Sequence, residues 1–326
     1  MHAPAVLIHR HGGAEVLELS EVAVPDPGPG EVRIVQHAIG LNFAEVYQRR
    51  GGHGPHTEQA FPIVLGSQGA GVVESVGEGV SGFAAGQPVA YVHPGSYTQA
   101  RIVPAARLVP LPEGLTLETA AATLLRGMTA EYLLHRLFAV KPGHRLLVHA
   151  AAGGMGQILC AWARALGAEV IGTVGSEAKR AIAAAHGCHH VIDYRSEDFV
   201  ARVHQITGGA GVAVVYDAVG RDVFVPSLDC IAPRGMAINY GTASGDVEAF
   251  DLQRLHAKSI TVARPTLRSF VATTQELHAS VATFAAAVRS GAVTPEVSQR
   301  FALAEVRAAH AALEGRATTG AAILVP

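Results

Sequence analysis

Strand-like and helix-like segments alternate along the middle of the chain, and this alternation restricts the possible folds more than any other feature. The apolar run RLLVHAA precedes GQILCAWARALG, whose apolar residues recur at helical spacing, at Ile158, Leu159, Trp162 and Leu166. The same order repeats in EVIGTVG and SEAKRAIAAAHG and continues to SITVARP. Strands that alternate with helices pair in parallel through right-handed crossovers. The pattern therefore predicts an α/β fold with a doubly wound parallel sheet.

The segments on either side of this alternation differ from it in character. Up to about residue 125 the chain carries short β-branched runs between Gly and Pro residues, as in EVRIVQHAIGLN and GAGVVESVGEGV. After Pro265 it becomes helical, in TTQELHASVATFAAAVRSG, and it ends in the apolar strand GAAILVP. The sequence thus predicts a β-rich domain over 1–125 and 266–326, and a Rossmann-type domain over 126–265.

The stretch HAAAGGMGQ, residues 149–157, connects the first strand of the alternating region to its first helix. In dinucleotide-binding folds this turn holds a pyrophosphate, because glycines let the backbone approach it and helix N–H groups face its charge. The usual spacing G-x-G-x-x-G falls on Ala151, Gly153 and Gly156, so the first glycine is absent. We expect a pyrophosphate turn here, and a glycine turn without a ligand is the alternative.

The end of the second strand in this region bears on the choice of cofactor. NAD-binding chains usually place Asp or Glu there to bind the ribose 2′-hydroxyl. Here the strand ends at Gly175, Ser176 is placed to cap the next helix, and Glu177 falls inside that helix. Lys179, one of three lysines, follows with Arg180 beside it. A cation at this place fits a 2′-phosphate, so the sequence predicts NADPH; a solvated surface lysine is the alternative.

Composition and charge exclude several classes of protein. The chain has 25 basic and 27 acidic residues and no basic tract, which argues against nucleic-acid binding. Its apolar windows are interrupted before the roughly 18–20 residues of a membrane span. The start MHAPAVLIHRHGG lacks the apolar core of a signal peptide. We therefore expect a soluble, cytoplasmic protein that binds neither nucleic acid nor membrane.

Cysteine and histidine usage argues against disulfide and metal sites. Cys160, Cys188 and Cys230 lie too far apart in the sequence for a disulfide framework or a four-cysteine zinc site. The run HGCHH, residues 186–190, lies between a helix-like and a strand-like segment. Metal sites need ligands that converge from separate elements, so we interpret these histidines as part of a connecting loop.

Taken together, these motifs resemble the zinc-independent NADPH:quinone oxidoreductases, the zeta-crystallin-like branch of the medium-chain dehydrogenases/reductases. The similarity covers nearly the whole chain and is carried by AIGLNFAEVYQRRG, GAGVVESVGEGV, HAAAGGMGQ, GAEVIGTVGS, VIDYR, VVYDAVG and TVARPTL. It implies a β-rich, GroES-like catalytic domain that the C-terminal segment completes, with the nucleotide domain inserted. It also implies a homodimer that pairs at the sheet edge near GMAINYG and SITVARP.

The same resemblance accounts for the missing zinc ligands. Zinc-dependent relatives carry a Cys where Asn42 stands and a His-Glu pair where Ser67 and Gln68 stand, and no cysteine precedes residue 160. Without these ligands and without the four-cysteine lobe, we expect no metal. Relatives carry Asp and Glu at the positions of Glu45 and Gln68, so the substrate cleft is expected to differ.

A second departure lies in the segment GGHGPHTEQAFP. It differs from the aromatic, proline-rich loop of the family, so His53 and His56 are expected to change what enters the cleft.

The resemblance also implies a set of site residues. Asn42 and Tyr47 are expected near the nicotinamide and the substrate, where they would guide the acceptor through hydrogen bonds. Cofactor contacts are implied for Asn42, Thr129, Tyr132, Gly153, Gly154, Met155, Gly156, Ser176, Lys179, Tyr194, Tyr240, Gly241, Ser244, Arg264 and Arg316. Structural roles are the alternative: a turn cap for Asn42, a core position for Tyr47 and a surface charge for Arg316.

The activity that the resemblance implies is reduction of a quinone, with electrons supplied by the nicotinamide ring. The protein would hold the acceptor and offer hydrogen bonds to the oxygen that gains charge, and no dedicated acid is needed. The sequence leaves open whether transfer occurs as a hydride or as single electrons. An NADPH-dependent alkenal or enone reductase is one alternative, and a non-enzymatic NADPH-binding sensor or structural protein is another.

Overall fold

The computed structural model describes residues 1–52, 60–315 and 318–326. These residues form two compact units. The first comprises Met1–Gly127, Thr273–Arg289 and Pro295–Pro326, and the second comprises Met128–Ala272 and Ser290–Thr294. The sequence places the corresponding boundaries at 125/126 and 265/266.

The strands and helices follow one another in chain order. The strands are β1 (His2–Ile8), β2 (Glu18–Ala23), β3 (Glu31–Leu41), β4 (Ile63–Val64), β5 (Gln68–Val76), β6 (Pro88–Val92), β7 (Ala100–Pro104), β8 (Leu108–Pro110), β9 (Arg145–Val148), β10 (Glu169–Val174), β11 (His190–Asp193), β12 (Val212–Asp217), β13 (Ile231–Asn239), β14 (Thr261–Ala263), β15 (Val297–Ala302) and β16 (Ala321–Val325). The helices are α1 (Phe43–Arg50), α2 (Leu117–Glu131), α3 (Gly154–Ala165), α4 (Arg180–Ala185), α5 (Phe199–Thr207), α6 (Phe224–Ser227), α7 (Gln253–His256), α8 (Leu267–Phe270), α9 (Thr274–Arg289) and α10 (Val306–Glu314).

The first unit is β-rich, as its sequence predicts. Its larger sheet has the order β15-β16-β3-β5-β6-β8, with β7 paired to β3, and a smaller sheet has the order β2-β1-β4. Apolar side chains from both ends of the sequence fill its core, among them Ile39, Leu41, Tyr97 and Leu324. Burial of one such side chain contributes about 1.5–3 kcal/mol.

The helix predicted after Pro265 forms as α9, but the sequence did not reveal one strand that follows it. Residues Val297–Ala302 form β15, which pairs in parallel with β16. In its sequence VSQRFA, half-buried residues (Val297, Gln299 and Phe301) alternate with exposed ones (Ser298, Arg300 and Ala302). The strand lacks the apolar run that would have revealed it.

The second unit contains a six-stranded parallel sheet in the order β11-β10-β9-β12-β13-β14. Its central strands are apolar and buried along most of their length, as expected when helices cover both faces of a sheet. The predicted doubly wound sheet is confirmed. The strand order reverses between β9 and β12, and in such sheets ligands bind outside the carboxyl ends of the strands at this switch point.

The helices of the second unit begin and end largely where local chemistry dictates. The Asp198 carboxylate accepts the N–H groups of Val200 (2.9 Å) and Ala201 (3.2 Å) at the start of α5, and Gly208 ends that helix with φ 61°. The prediction that Ser176 caps a single helix is wrong. A 3-10 turn, Glu177–Lys179, precedes α4, and the Ser176 side chain makes no capping hydrogen bond.

Two further expectations concern cysteine and histidine. The Cys160 and Cys188 sulfurs, distant in sequence, lie 3.5 Å apart as buried free thiols. Within the HGCHH run, His189 Nδ1 accepts the Val170 N–H (3.0 Å) and His190 Nε2 lies 3.1 Å from Glu169 Oε1, so both side chains attach to the start of β10. Among the described residues no helix is long and apolar enough to cross a membrane.

Candidate functional site

The glycine turn lies between β9 and α3, at the carboxyl end of the central strand. Gly153 is the N-cap of α3 with φ −78° and ψ 164°, and no side chain caps the helix. The N–H groups of its first turn therefore face outward at the positive end of the helix dipole. A Cβ on Gly156 would lie 2.4 Å from Ala150 O and 2.7 Å from Ala151 Cα, so only glycine allows α3 to approach the turn this closely.

The missing first glycine has a structural counterpart. Ala150, one residue before the position that the glycine spacing assigns, has φ 54° in the left-handed region. An L-residue in this conformation costs roughly 1–2 kcal/mol. The turn thus keeps a sharply folded backbone although alanine occupies the left-handed position.

The residues predicted to surround a 2′-phosphate come together at the carboxyl ends of β10 and β11. These strands pair in parallel, with Val174 opposite Asp193, so Ser176 and Tyr194 each follow shortly after neighbouring strand ends. A Cβ on Gly175 would lie 2.8 Å from Tyr194 Oη, which places the Tyr194 hydroxyl against this turn. Lys179 ends the 3-10 turn that Ser176 begins.

The charged neighbours of Lys179 pair with one another. Arg180 Nε donates to Glu177 Oε2 (2.7 Å), its Nη1 donates to Val191 O (2.5 Å), and its Nη2 contacts Glu197. The Glu177 carboxylate is thus neutralised by Arg180, and no acidic residue stands at the end of β10 itself. The Lys179 ammonium and the hydroxyl groups of Ser176 and Tyr194 can donate hydrogen bonds to an anionic group. The strand β10 does not end in the acid that binds a free ribose 2′-hydroxyl.

The turn that contains Tyr240, Gly241 and Ser244 follows β13 and is held against the loop after β12. The Asp217 carbonyl accepts the N–H groups of Tyr240 (2.8 Å) and Gly241 (3.3 Å). The Val219 carbonyl accepts both the N–H and the hydroxyl of Ser244, each at 2.8 Å. The two loops therefore form one surface at the carboxyl ends of their strands.

The sequence motifs did not reveal two polar side chains, Asp217 and Asn239, that support this surface. The Asp217 carboxylate accepts the N–H groups of Val219 (2.7 Å) and Gly220 (3.0 Å) and the Asn239 Nδ2 group (2.8 Å). Burial raises the pKa of Asp217 to about 6, and these hydrogen bonds oppose the increase. Arg264 Nη1 in turn donates to Asn239 O (3.2 Å). The signal in the sequence was an acid at the end of the apolar run VVYD.

Two further residues that are predicted to contact the cofactor are Thr129 and Tyr132. Thr129 lies near the end of α2, and Tyr132 begins the π-helix that follows it, Tyr132–Leu137. Thr129 is almost completely buried. Tyr132 is stacked on Phe270, with ring centroids 4.2 Å apart and an interplanar angle of 8°. Desolvation raises the pKa of Tyr132, with the positive charge of Arg264 opposing it. Tyr132 therefore has a packing role in the second unit.

In the first unit, Asn42 and Tyr47 lie at the end of β3 and in α1. Asn42 is the N-cap of α1 and is 6% exposed. Its Oδ1 accepts a hydrogen bond from Nε2 of Gln68 (3.3 Å), and Gln68 is the first residue of β5. Tyr47 is half-buried, with its ring 5.3 Å from that of Phe43. The structure thus joins Asn42 to a position that the sequence identified only as a departure from the family.

Glu45 is a further polar residue in this region, and it is fully buried. Desolvation raises its pKa to about 7, although bonds from Ser67 and Asn42 oppose the shift. No group of three His, Cys, Asp or Glu side chains that could hold a metal occurs among residues 1–52, 60–315 and 318–326. Arg316, His53 and His56 lie outside the described residues.

Comparison with known proteins covers both units. The model of the alcohol dehydrogenase GroES-like domain matches residues 28–113, and that of the zinc-binding dehydrogenase domain matches 154–286. The 2-haloacrylate reductase of Burkholderia sp is 44% identical over 328 residues, 99% of this chain and 98% of that protein. The quinone oxidoreductase of Pseudomonas aeruginosa is 43% identical over 319 residues, 97% of each chain.

A solved structure is similar to this chain over its full length. The crystal structure of Escherichia coli quinone oxidoreductase complexed with NADPH matches with a TM-score of 0.95 and 40% identity, over 99% of this chain and 100% of that one. The combination of a doubly wound unit that carries a glycine turn and a GroES-like unit is typical of the medium-chain dehydrogenases/reductases. Within that class, the chain belongs to the quinone oxidoreductase family, and the resemblance seen in its motifs is confirmed.

Proposed function

We propose that this protein reduces quinones with NADPH and without a metal ion. The observation that carries the proposal is full-length identity of about 40% or more to quinone oxidoreductases, one of which binds NADPH in its crystal structure. The geometry of the second unit supports the choice of cofactor. Ser176, Lys179 and Tyr194 follow the ends of β10 and β11, and β10 does not end in the acid that binds a ribose 2′-hydroxyl in NAD-binding chains.

The residues present fit a dinucleotide. The uncapped N-terminus of α3 would hold the pyrophosphate through the N–H groups of Gly154, Met155 and Gly156, with Gly153 leaving its approach open. Lys179, Ser176 and Tyr194 would hold the 2′-phosphate. The surface built by Tyr240, Gly241 and Ser244 would lie along the nicotinamide, with further contacts from Thr129 and Arg264. NADPH, when bound, would supply the electrons for the reaction from its nicotinamide ring.

The role of the first unit is to hold the acceptor. Asn42 would donate a hydrogen bond to the acceptor oxygen as it gains negative charge, and Tyr47 would add a second polar contact. The reduced acceptor takes its proton from water. Zinc is not needed, because amide and hydroxyl groups at Asn42, Ser67 and Gln68 hydrogen-bond within the protein where zinc-dependent relatives carry ligands.

A second candidate function is reduction of an activated C=C bond. It is favoured by the 44% identity to a 2-haloacrylate reductase over nearly the full length of both chains. This activity would use the same cofactor residues, so the two functions differ only in the acceptor that the first unit holds.

The test is NADPH oxidation, followed at the nicotinamide absorbance, with naphthoquinone, benzoquinone, a 2-alkenal and 2-chloroacrylate as parallel acceptors. We expect quinone turnover that prefers NADPH to NADH. Turnover of the alkenal or chloroacrylate alone would assign the protein to double-bond reduction. Tight NADPH binding with no turnover of any acceptor would contradict both and leave a sensor or structural protein.

Cofactor choice is tested separately with Lys179→Ala. Loss of a charge-assisted contact costs about 1.5–3 kcal/mol, which corresponds to a roughly ten- to hundredfold weaker Kd for NADPH. NADH affinity should not change. Lys141→Ala is the matched control, since Lys141 is exposed and precedes β9, at the opposite end of the strands. Equal losses for both coenzymes would contradict the assignment of Lys179.

We also propose a homodimer formed through β14. This strand is an edge of the six-stranded sheet, and Val262 on it is 36% exposed. An exposed strand edge offers unpaired N–H and C=O groups to a second copy. Val262→Pro should therefore shift the mass in solution from dimer to monomer; an unchanged mass would contradict pairing at this edge. The cytoplasmic location stays a prediction.

A further inference from the structure

The first unit buries a cluster of polar side chains around Asn42. Within this cluster, a hydrogen bond to the backbone determines the orientation of the Gln68 amide. Gln68 Oε1 accepts the N–H of Leu125 in α2 (2.8 Å). A backbone N–H can only donate, so the amide oxygen of Gln68 must face Leu125 and its NH₂ group must face Asn42. Gln68 Nε2 accordingly donates to Asn42 Oδ1 (3.3 Å). The backbone of α2 therefore determines the orientation of the Asn42 amide through one intermediate side chain.

Glu45 holds the other side of Asn42. Its Oε2 accepts the Asn42 N–H at 2.6 Å, and its Oε1 lies 3.5 Å from Asn42 Nδ2. Ser67 also bonds the carboxylate, while Ser67 Oγ accepts from Gln48 Nε2 (3.1 Å). Because Gln48 donates to this hydroxyl, Ser67 can give its own proton to Glu45. Each of these partners thus donates to Glu45, as a charged carboxylate requires.

The space for this arrangement is made by a glycine. A Cβ on Gly40 would lie 2.3 Å from Gln68 Nε2 and 2.3 Å from Ala121 O. Gly40 belongs to β3, two residues before Asn42. A side chain at residue 40 would displace the Gln68 amide, so the strand leaves room for the residue that orients Asn42.

We propose that Glu45 and Gln68 are positioning residues that hold the Asn42 amide in one orientation, with Oδ1 bound inside the protein and Nδ2 as the donor for an acceptor oxygen. This inference rests on the proposed function, in which Asn42 guides the acceptor. It specifies the acceptor chemistry further: the Asn42 Nδ2 hydrogen that does not face Glu45 suits a carbonyl or carboxylate oxygen, and Asn42 Oδ1 already accepts from Gln68.

Burial and the neighbouring charges act in opposite directions on Glu45, and the carboxylate is ionised above about pH 7. Arg126 from α2 is buried, donates to Leu41 O (2.8 Å) and attracts Glu45, while Arg49 lies on the same helix as Glu45. Tyr97 is neutral, since burial raises its pKa and the Glu45 charge adds to the shift. Burial raises the Glu45 pKa to about 7. Below this pH the added proton would face groups that donate, and the hold on Asn42 would weaken.

The first experiment compares pH profiles of quinone turnover. In the wild type we expect kcat to rise with pH through one ionisation near 7. Glu45→Gln keeps a side chain that can accept the Asn42 N–H, so helix α1 should form. It should keep kcat at the acid-side value, about tenfold lower, at every pH. A Glu45→Gln profile that still rises through pH 7 would overturn the proposal.

The second experiment is a double-mutant cycle. Gln68→Leu should lower kcat about tenfold and leave the KM for NADPH unchanged. In an Asn42→Ala background it should cause no further loss, because the amide it orients is gone. Equal losses in both backgrounds would overturn the proposal. Gln36→Leu is the matched control: Gln36 is also buried in the same sheet but bonds Ser96 O (2.7 Å), so it should lower stability without changing the pH profile.

A third readout does not depend on turnover. The side-chain amide resonance of Asn42, identified by its loss in Asn42→Asp, should shift with pH near 7 and should move in Gln68→Leu. If this resonance shifts neither with pH nor in Gln68→Leu, Glu45 and Gln68 do not position the Asn42 amide, even if the protein reduces quinones. Conversely, a resonance that responds as expected in a protein with no quinone turnover supports positioning and refutes only the proposed function.

Discussion

The contact between α3 and the glycine turn can be tested by adding a single methyl group. In Gly156→Ala the new Cβ would lie 2.4 Å from Ala150 O and 2.7 Å from Ala151 Cα, whereas ordinary contacts begin near 3.4 Å. The obstructing atoms belong to the backbone, so the helix and the turn must separate by about 1 Å. Overpacking of this kind costs about 1–3 kcal/mol.

The expected result is a less stable protein that binds NADPH weakly. For a unit of this size each kcal/mol lowers Tm by about 2–4 °C. Displacement of α3 also moves its N–H groups away from the pyrophosphate. We would measure Tm by calorimetry, without NADPH and at several NADPH concentrations, because a ligand at free concentration L that binds only the folded state stabilises it by RT ln(1 + L/Kd) and so raises Tm more when it binds more tightly.

Gly153→Ala is the matched control. Its Cβ would meet only Ala150 O, at 3.2 Å, and its φ of −78° is open to any residue. Stability without cofactor should fall by less than about 1 kcal/mol, the cost of alanine at an N-cap. The increase in Tm with NADPH should nevertheless shrink, since the methyl group occupies the face that approaches the pyrophosphate. A Gly156→Ala protein with wild-type Tm, or a Gly153→Ala protein with the full NADPH effect, would refute this reasoning.

Three further outcomes follow from local geometry. Ala150→Val should lower the free energy of unfolding by more than about 1 kcal/mol in chemical denaturation, because a β-branched residue tolerates φ 54° poorly. Burial lowers the His149 pKa to about 3, so its contribution to stability is complete above pH 6.5 and is lost as pH falls toward 3. His149→Gln should therefore flatten the dependence of unfolding free energy on pH in that range, by up to about 1.4 kcal/mol per pH unit. Cys160, Cys188 and Cys230 should resist a thiol reagent in the folded protein and react fully after unfolding, since all three are buried; fast labelling of the native protein would contradict this.

The fold could be predicted from the sequence because its signals are local. Apolar strands that alternate with helices identify a parallel sheet, and the glycines between β9 and α3 identify its phosphate-binding turn. Strand β15 was missed because it lacks such a local signal: its residues alternate between half-buried and exposed, and no apolar run marks it. A single helix was expected after Ser176, but the chain inserts a 3-10 turn that no side chain caps.

The polar contacts of the site were much less predictable. Asn42 and Gln68 are 26 positions apart, and Gln68 and Leu125 are 57 apart, so the bonds between them depend on the pairing of β3 with β5 and the position of α2. Asp217 and Asn239 are joined across neighbouring strands in the same way. Residue types alone indicate that such groups need partners when buried, but not which partners they find.

Under the proposed metal-free function, the hydrogen bonds around Asn42 take the place of a metal ion at positions where zinc-dependent relatives carry its ligands. A metal ion fixes its ligands by direct bonds, and its removal would leave buried polar groups without partners. Here Gln68 binds Asn42 Oδ1, Gln48 binds Ser67 Oγ, and Glu45 binds both neighbours. If this network replaces the metal as the rigid element, restoring ligands one at a time should damage it. Gln68→Glu should be more harmful than Gln68→Leu, because it removes the donor to Asn42 and places a second carboxylate beside buried Glu45. Equal or higher turnover in Gln68→Glu, measured with and without added zinc, would show that the network is not what holds Asn42.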